Sequence, residues 1–201
     1  MQLLWETDNL DDIGGHKPKV LGGPQVIEAL GARALAFDGE DDGIILNTNP
    51  LAGVGSFTVE VIFRPDPSPN LAQRFLHMQA SEESRVLVET RLTDTNQWFL
   101  DTFIKSGESE KTLQSKQHLH PLGKSYHVAL TYDGRWMRHY VNGDEEMSGE
   151  VEYYPVEGGQ TSIGCRLNQV FWFQGAIAKV RFTHTALSPN QFLQNPVQNP
   201  E

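Results

Sequence analysis

The stretch that most restricts how this chain can fold runs from Ser125 to Gly143. Two runs rich in β-branched and aromatic residues flank Asp133-Gly134, and Asn142-Gly143 closes the pair. Asp-Gly and Asn-Gly favour tight turns because both residues tolerate positive φ, so the stretch predicts a β-hairpin. Tyr126, Val128, Leu130 and Tyr132 alternate with His127, Ala129 and Thr131. Period-2 alternation of that kind puts one set in a core and the other on the opposite face. In the partner run Met137, His139 and Val141 form one set, and Trp136, Arg138 and Tyr140 the other.

The same pattern recurs along the chain. Strands are predicted at Leu3–Trp5, Lys19–Leu21, Ala34–Asp38, Ile44–Leu46, Phe57–Arg64, Arg74–Gln79, Arg85–Leu92, Gln97–Ile104, Glu150–Tyr154, Thr161–Gly164 and Ala176–Phe182, with Val26–Leu30 open between strand and helical turn. Phe57, Val59, Val61 and Phe63 oppose Thr58, Glu60, Ile62 and Arg64; Val86, Val88, Thr90 and Leu92 oppose Arg85, Leu87, Glu89 and Arg91. Pro65, Pro67 and Pro69 end the former run, since proline cannot serve an interior ladder. Ser188-Pro189 predicts one C-terminal helical turn with Ser188 as its cap. About a dozen short strands at roughly ten-residue spacing describe an all-β, two-sheet antiparallel sandwich. It is read as one domain over residues 1–193, with a polar, loosely held tail at 194–201.

Composition narrows the function. Sixteen Lys and Arg against 26 Asp and Glu give a formal charge of −10, which repels phosphate backbones and argues against nucleic acid as a partner. Neither a membrane partner nor a span is expected, because no apolar run approaches the ~18–20 residues a crossing helix needs. The single cysteine, Cys165, rules out an intrachain disulfide. Met1 to Glu6 lacks a basic segment followed by a long apolar one, so no signal peptide is expected within this chain. Compartment and oligomeric state stay undetermined.

Four segments, in order, resemble the laminin-G-like jelly rolls of the concanavalin A-like lectin and glucanase superfamily. They are Leu35-Ala36-Phe37-Asp38-Gly39, Phe57-Thr58-Val59-Glu60-Val61, the hairpin itself, and Ser162-Ile163-Gly164 with Phe173-Gln174-Gly175-Ala176-Ile177 and Val180-Arg181-Phe182. The resemblance implies a jelly roll with a convex and a concave sheet, the concave face and its rim loops commonly binding sugars. Its members are often exported.

Retaining glucanases of that superfamily carry Glu-x-Asp-x-x-Glu on a central concave strand, two carboxyl groups about 5 Å apart flanking the scissile bond. The nearest match, Glu6, Asp8 and Asp11, lies in the N-terminal segment and ends in Asp. It reads as turn chemistry, so catalytic residues are not assigned and a non-catalytic carbohydrate-binding or adhesion module is expected. The competing readings are a glycan-active hydrolase with an atypical acid pair and a structural or protein-interaction domain. The partner expected is a poly- or oligosaccharide. Aromatic rings stack on sugar C–H faces while carboxylates, amides and guanidiniums bind hydroxyls. The expected ligand-binding set is Glu60, Arg64, His127, Trp136, Arg138 and Tyr140 on the open face, with Arg166 and Trp172 on the rim.

No cofactor is expected beyond a structural calcium ion that the resemblance leaves open near Asp38 and Gly39. The aspartate that related glucanases supply from the last strand is Ala178 here, which weakens that site. Asp38 to Gly43 imitates half of an EF-hand loop but has Asn49 where a bidentate Glu belongs, and reads as an acidic β-turn. His118 and His120 share a strand face without further zinc ligands and read as solvated loop histidines.

Overall fold

The computed structural model describes residues 1–196. Among them are sixteen strands and one 3-10 turn. In chain order the strands are β1 (Gln2–Glu6), β2 (Lys19–Leu21), β3 (Gln25–Ala29), β4 (Ala32–Asp38), β5 (Gly43–Leu46), β6 (Phe57–Pro65), β7 (Ala72–Ser81), β8 (Ser84–Leu92), β9 (Gln97–Ser106), β10 (Ser109–Gln114), β11 (His120–Pro121), β12 (Tyr126–Tyr132), β13 (Trp136–Val141), β14 (Asp144–Glu150), β15 (Gln160–Ile163) and β16 (Gln174–Thr183). The 3-10 turn is Pro189–Gln191, preceded by Ser188 as its cap residue. No helix among the described residues is long and apolar enough to cross a membrane.

The strands form two antiparallel sheets of eight. The first runs β14-β13-β12-β6-β16-β4-β3, with β1 added alongside β16. The second runs β10-β9-β8-β7-β15-β5-β2, with β11 added to β9. Hairpins join near neighbours, whereas β6, β12 and β16 come from distant parts of the chain and lie side by side. This is the jelly-roll arrangement. The predicted hairpin forms as read: Val128 pairs with Val141 and Tyr132 with Met137.

The core lies between the sheets and takes the apolar set of each strand. From the first sheet come Phe57, Val59, Val61, Phe63, Val128 and Leu130; from the second come Phe75, Val86, Val88, Trp98, Leu100 and Ile104. Phe63 stacks on Phe75 at 4.6 Å between centroids and meets Trp98 edge-on at 5.3 Å. Burying each such ring stabilises the fold by about 1.5–3 kcal/mol, and the pair geometry adds about 0.5–1.5 kcal/mol.

Three local expectations are corrected. The strand expected at Glu150–Tyr154 lies earlier, at Asp144–Glu150; Val151 and Tyr153 are buried in the core from irregular backbone. Their alternation reflects burial alone. β10 and β11 were not foreseen, because Lys111, Gln114 and His118 break the apolar pattern at a sheet margin. Val26–Leu30 resolves as strand, ended by Leu30 at φ 58° before Gly31. In the region read as a loose tail, Asn195 is buried and accepts a 2.9 Å hydrogen bond from Ser125 Oγ. The end of that tail, 197–201, lies outside the described residues.

Candidate functional site

The sequence places Glu60, His127 and Tyr140 on the outer face of the first sheet, and the alternation is right. That face, however, is covered. After β16 the chain turns back and crosses it. Thr58 Oγ1 donates to the Thr185 carbonyl and accepts from Leu187 N–H, both at 2.8 Å. Phe192 then packs on Ala129 and Tyr140. Glu60 is fully buried beneath this segment. Its carboxylate accepts from the Arg181 guanidinium and from Leu193 N–H at 2.7 Å, and His127 Nε2 lies 3.0 Å away. Tyr140 is 5% exposed. Glu60 and Tyr140 therefore have no open groove above them, and His127 lines only a recess of about 90 Å³ between Asn142 and the covering Phe192, Leu193 and Asn195. The others sit at the margins: Arg64 is clamped by Asp66 through two bonds of 2.8 and 2.9 Å, and Arg138 pairs with Asp133 at 2.7 Å, its guanidinium 5.7 Å from the Trp136 ring.

The second sheet is open on its outer face. There Arg74, Arg85, Leu87, Glu89, Arg91, Asp101, Phe103, Thr112 and Arg166 line a recess of about 180 Å³. Register builds it. Arg74 on β7 stands opposite Glu89 on β8, which stands opposite Asp101 on β9. Arg91, two residues along β8, reaches back: its Nε donates to Asp101 Oδ2 at 2.7 Å and its Nη2 to Glu89 Oε2 at 3.4 Å. Arg74 Nε is ion-paired with Glu89 Oε1 at 2.7 Å, whereas Arg74 Nη1 is a buried donor with no hydrogen-bond partner among the described residues.

Burial sets the electrostatics of this floor. Removal from water pushes Glu89 up to about 7, against the pull of Arg74 and Arg91, with Asp101 adding to the rise. Burial likewise raises Asp101 and lowers Arg74. All three move toward their neutral forms, as expected when charges are drawn together out of solvent.

The loop between β15 and β16 forms the wall. Leu167 N–H donates to His77 Nδ1 at 3.2 Å, Gln169 N–H to the Arg166 carbonyl at 2.8 Å, and Arg74 N–H to the Phe171 carbonyl at 2.8 Å. Gln169 and Phe171 both take φ 59°. Left-handed backbone at an aromatic residue costs on the order of 1–3 kcal/mol and gathers at functional sites. Here it lays the exposed Phe171 ring over the Arg74 guanidinium, 3.7 Å from its centroid. Of the two expected rim residues, Arg166 lines the recess. Trp172 is half-buried and turned away, packing beside Gly43 and Cys165. The exposed ring is its neighbour Phe171. Past Arg166, a second recess of about 290 Å³ continues along Gln79, Glu82, Gln160, Leu167 and Asn168.

Other candidates resolve differently. Asp38, Asp41 and Asp42 bring carboxylate oxygens within 4.8 Å of one another. Asp38 Oδ1 accepts from the N–H groups of Glu40, Asp41 and Asp42, and the two Asp42 oxygens accept from Gly23 and Asp38 N–H. The Gly39 carbonyl accepts from Asn70 Nδ2 at 2.9 Å, and Ala178 is packed among Ile62, Ala34 and Leu30. Asp38 Oδ1 and both Asp42 oxygens thus already accept from backbone N–H groups. His120 is not a free loop histidine: it bonds Glu146 at 2.6 Å and lies against Trp98. Glu6 pairs with Lys179 at 3.3 Å, and Asp11 N–H is held by Asn9 in a turn, in keeping with the reading of that segment as turn chemistry.

Arg74, Glu89, Arg91, Asp101, Phe103 and Phe171 were not singled out from sequence. One signal was present. Asp101 interrupts the otherwise apolar and aromatic run Trp98-Phe99-Leu100-Asp101-Thr102-Phe103, and Glu89 and Arg91 share one face of β8.

Comparison with known proteins follows this geometry. A search of curated proteins found no match. Among solved structures, domain 4 of AbnA, a GH43 extracellular arabinanase from Geobacillus stearothermophilus, in complex with arabinotriose, superposes with TM-score 0.73 at 17% identity, covering 94% of each chain. The heptameric SAP-like pentraxin of Limulus polyphemus gives 0.62 at 17% identity over 78% of this chain and 77% of the other. Trypanosoma rangeli sialidase in complex with sialic acid gives 0.66 at 15% identity, covering 94% of this chain and 31% of that one. At such identities the likeness is one of fold. A family model described as the concanavalin A-like lectin/glucanases superfamily matches residues 38–191, well over half of the chain. Two stacked antiparallel sheets, the β12–β13 hairpin within the first of them and that match together make this protein a member of the concanavalin A-like lectin/glucanase superfamily.

Proposed function

We propose that the protein is a non-catalytic carbohydrate-binding module whose ligand lies on the outer face of the second sheet, along the recess floored by Arg74, Glu89, Arg91 and Asp101. The observation that carries this reading is the buried Arg74 Nη1, without a hydrogen-bond partner among the described residues, beneath an exposed ring. A buried donor without an acceptor costs about 1–3 kcal/mol, a cost that a ligand hydroxyl or carboxylate removes. Fixed donors and acceptors beside an aromatic wall are what sugar recognition requires. Two structures of this fold have sugars in their descriptions, arabinotriose and sialic acid, which supports the ligand class.

The test is a glycan-array screen with the folded protein, followed by titration of hits against Phe171→Gly. Glycine relieves the positive φ at that position, so the melting temperature stays level or rises. Affinity falls at least tenfold. No glycan bound by folded protein, or hits unaffected by Phe171→Gly, sinks the reading.

One observation favours a second reading. Glu89 and Asp101 face each other in the recess with Glu89 poised near neutrality, which is the acid pair a hydrolase would need. Both carboxylates are engaged by guanidiniums, so binding is preferred. Release of reducing ends from a polysaccharide panel, abolished by Glu89→Gln, would establish the hydrolase instead.

A further inference from the structure

We infer that this site selects acidic sugars, with the Arg166 guanidinium, beside Arg74, receiving a carboxylate on a pyranose ring. The inference rests on the carbohydrate-binding reading above and adds the chemical class of the ligand.

Charge distribution is the starting point. The chain as a whole carries −10, yet four guanidiniums (Arg74, Arg85, Arg91 and Arg166) converge on this recess against two carboxylates. Three of the four are answered within the protein: Arg74 by Glu89, Arg91 by Asp101 and Glu89, and Arg85 by Glu82 at 3.0 Å on the rim. Arg166 forms no ion pair with a described residue. Arg166 lies close enough to Arg74 to disfavour its charged form, as Arg91 does.

The backbone around Arg166 is fixed. Its N–H donates to the Val170 carbonyl at 3.2 Å and its own carbonyl receives Gln169 N–H. Next to it, Leu167 is tied to His77, a fully buried imidazole that burial keeps neutral, its pKa pushed down to about 3. Because Nδ1 accepts from Leu167, the proton sits on Nε2, and His77 cannot serve as an anion's charged partner. An exposed arginine with no partner is ordinary. One held on a strained, hydrogen-bonded loop, beside a second arginine whose buried Nη1 has no hydrogen-bond partner among the described residues, is built to receive a planar anion, and the guanidinium fork matches a carboxylate in two parallel bonds.

The shape points to an oligomer. Arg166 lines both recesses, so a sugar whose carboxylate sits on Arg166 extends one way over Phe103 and the other toward Gln79, Gln160 and Asn168. Side-chain amides suit hydroxyls, and the anionic residue takes the junction.

The experiment is calorimetric titration with trigalacturonate, its fully methyl-esterified form, sialyllactose, lactose and inorganic sulfate. The esterified trimer keeps shape and hydroxyls while removing the charge. At least one acidic sugar is expected to bind tenfold or more tightly than its neutral counterpart, with affinity falling as salt rises. Which acid binds separates a uronate from a sialate ligand. Arg166→Gln should abolish that preference, bringing the acidic sugar down to the affinity of its neutral counterpart, with the melting temperature unchanged. Equal or tighter binding of the neutral forms overturns the selectivity but leaves the carbohydrate-binding reading standing. Sulfate binding as tightly as the acidic sugars overturns the sugar-carboxylate assignment in favour of a general anion site. Failure of every sugar to bind the folded protein overturns both.

Discussion

Glu60→Gln separates a ligand contact from a structural ion pair on the first sheet. Glu60 is fully buried and receives the Arg181 guanidinium, Leu193 N–H and the approach of His127 Nε2. Arg181's side chain is only 9% exposed. The amide keeps the shape, removes the charge and strands Arg181 in a dry site. Coulomb attraction at about 3 Å with an effective dielectric near 20 is about 5 kcal/mol, and removing one partner of a buried pair typically costs about 3–5 kcal/mol. For a domain of this size each kcal/mol lowers the melting temperature by about 2–4 °C, so a fall of about 6–20 °C is expected. The assay is thermal and urea denaturation followed by circular dichroism, with glycan titration of the folded variant at low temperature. Glycan affinity should stay within twofold of wild type. A paired Glu60→Leu, Arg181→Met variant should recover most of the stability, because apolar groups of similar volume often replace a buried ion pair without loss. The outcome that would falsify this reasoning is a melting temperature within about 2 °C of wild type together with lost glycan binding. That would make Glu60 a ligand group and the C-terminal cover dispensable.

Three further outcomes follow from the packing of buried groups. Glu89 sits among Arg74, Arg91 and Asp101 with its folded pKa pushed up to about 7 from the ordinary 4.5 of a glutamate. The native state therefore holds that proton more tightly, and the stability it contributes is full below about 4.5 and lost as pH rises through 7. The stability of wild type minus that of Glu89→Gln should fall by about 3 kcal/mol across that window, and a flat difference refutes it. Cys165 is fully buried and burial lifts its thiol to about 12, so it should resist a thiol reagent in the native state and react fully in denaturant; fast native labelling would contradict the packing. At Gly43 an added Cβ would lie 2.7 Å from Cys165 Sγ and 3.2 Å from the Trp172 ring, so Gly43→Ala should cost about 1–3 kcal/mol in urea denaturation.

Much of the fold was legible in residue order, and the reason is local. Alternation in β6, β8, β12 and β13 reports which face of each strand is apolar, and the sandwich must bury that face whatever else happens. The hairpin turn at Asp133-Gly134 is equally local. Glu150–Tyr154 was misplaced for the same cause: Val151 and Tyr153 alternate because they are buried, and burial does not require a strand. The candidate site was less legible. The sequence identified Glu60, His127 and Tyr140 as facing outward from the core, which they do. What lay above them depends on Phe192 and Leu193, more than fifty residues beyond Tyr140, folding back across the sheet.

The sequence alone determined the period of each strand, the two-sheet class and the core set, since these follow from steric alternation and the removal of apolar side chains from water. Only the tertiary structure decided which outer face is open. Covering depends on where a late segment lands, and a recess depends on register, which sets Arg74, Glu89 and Asp101 in one row across three strands. Desolvation then gives those three side chains properties that none has in isolation. That physical dependence on neighbours distant in sequence moved the proposed site from the hairpin's face to the opposite side of the molecule.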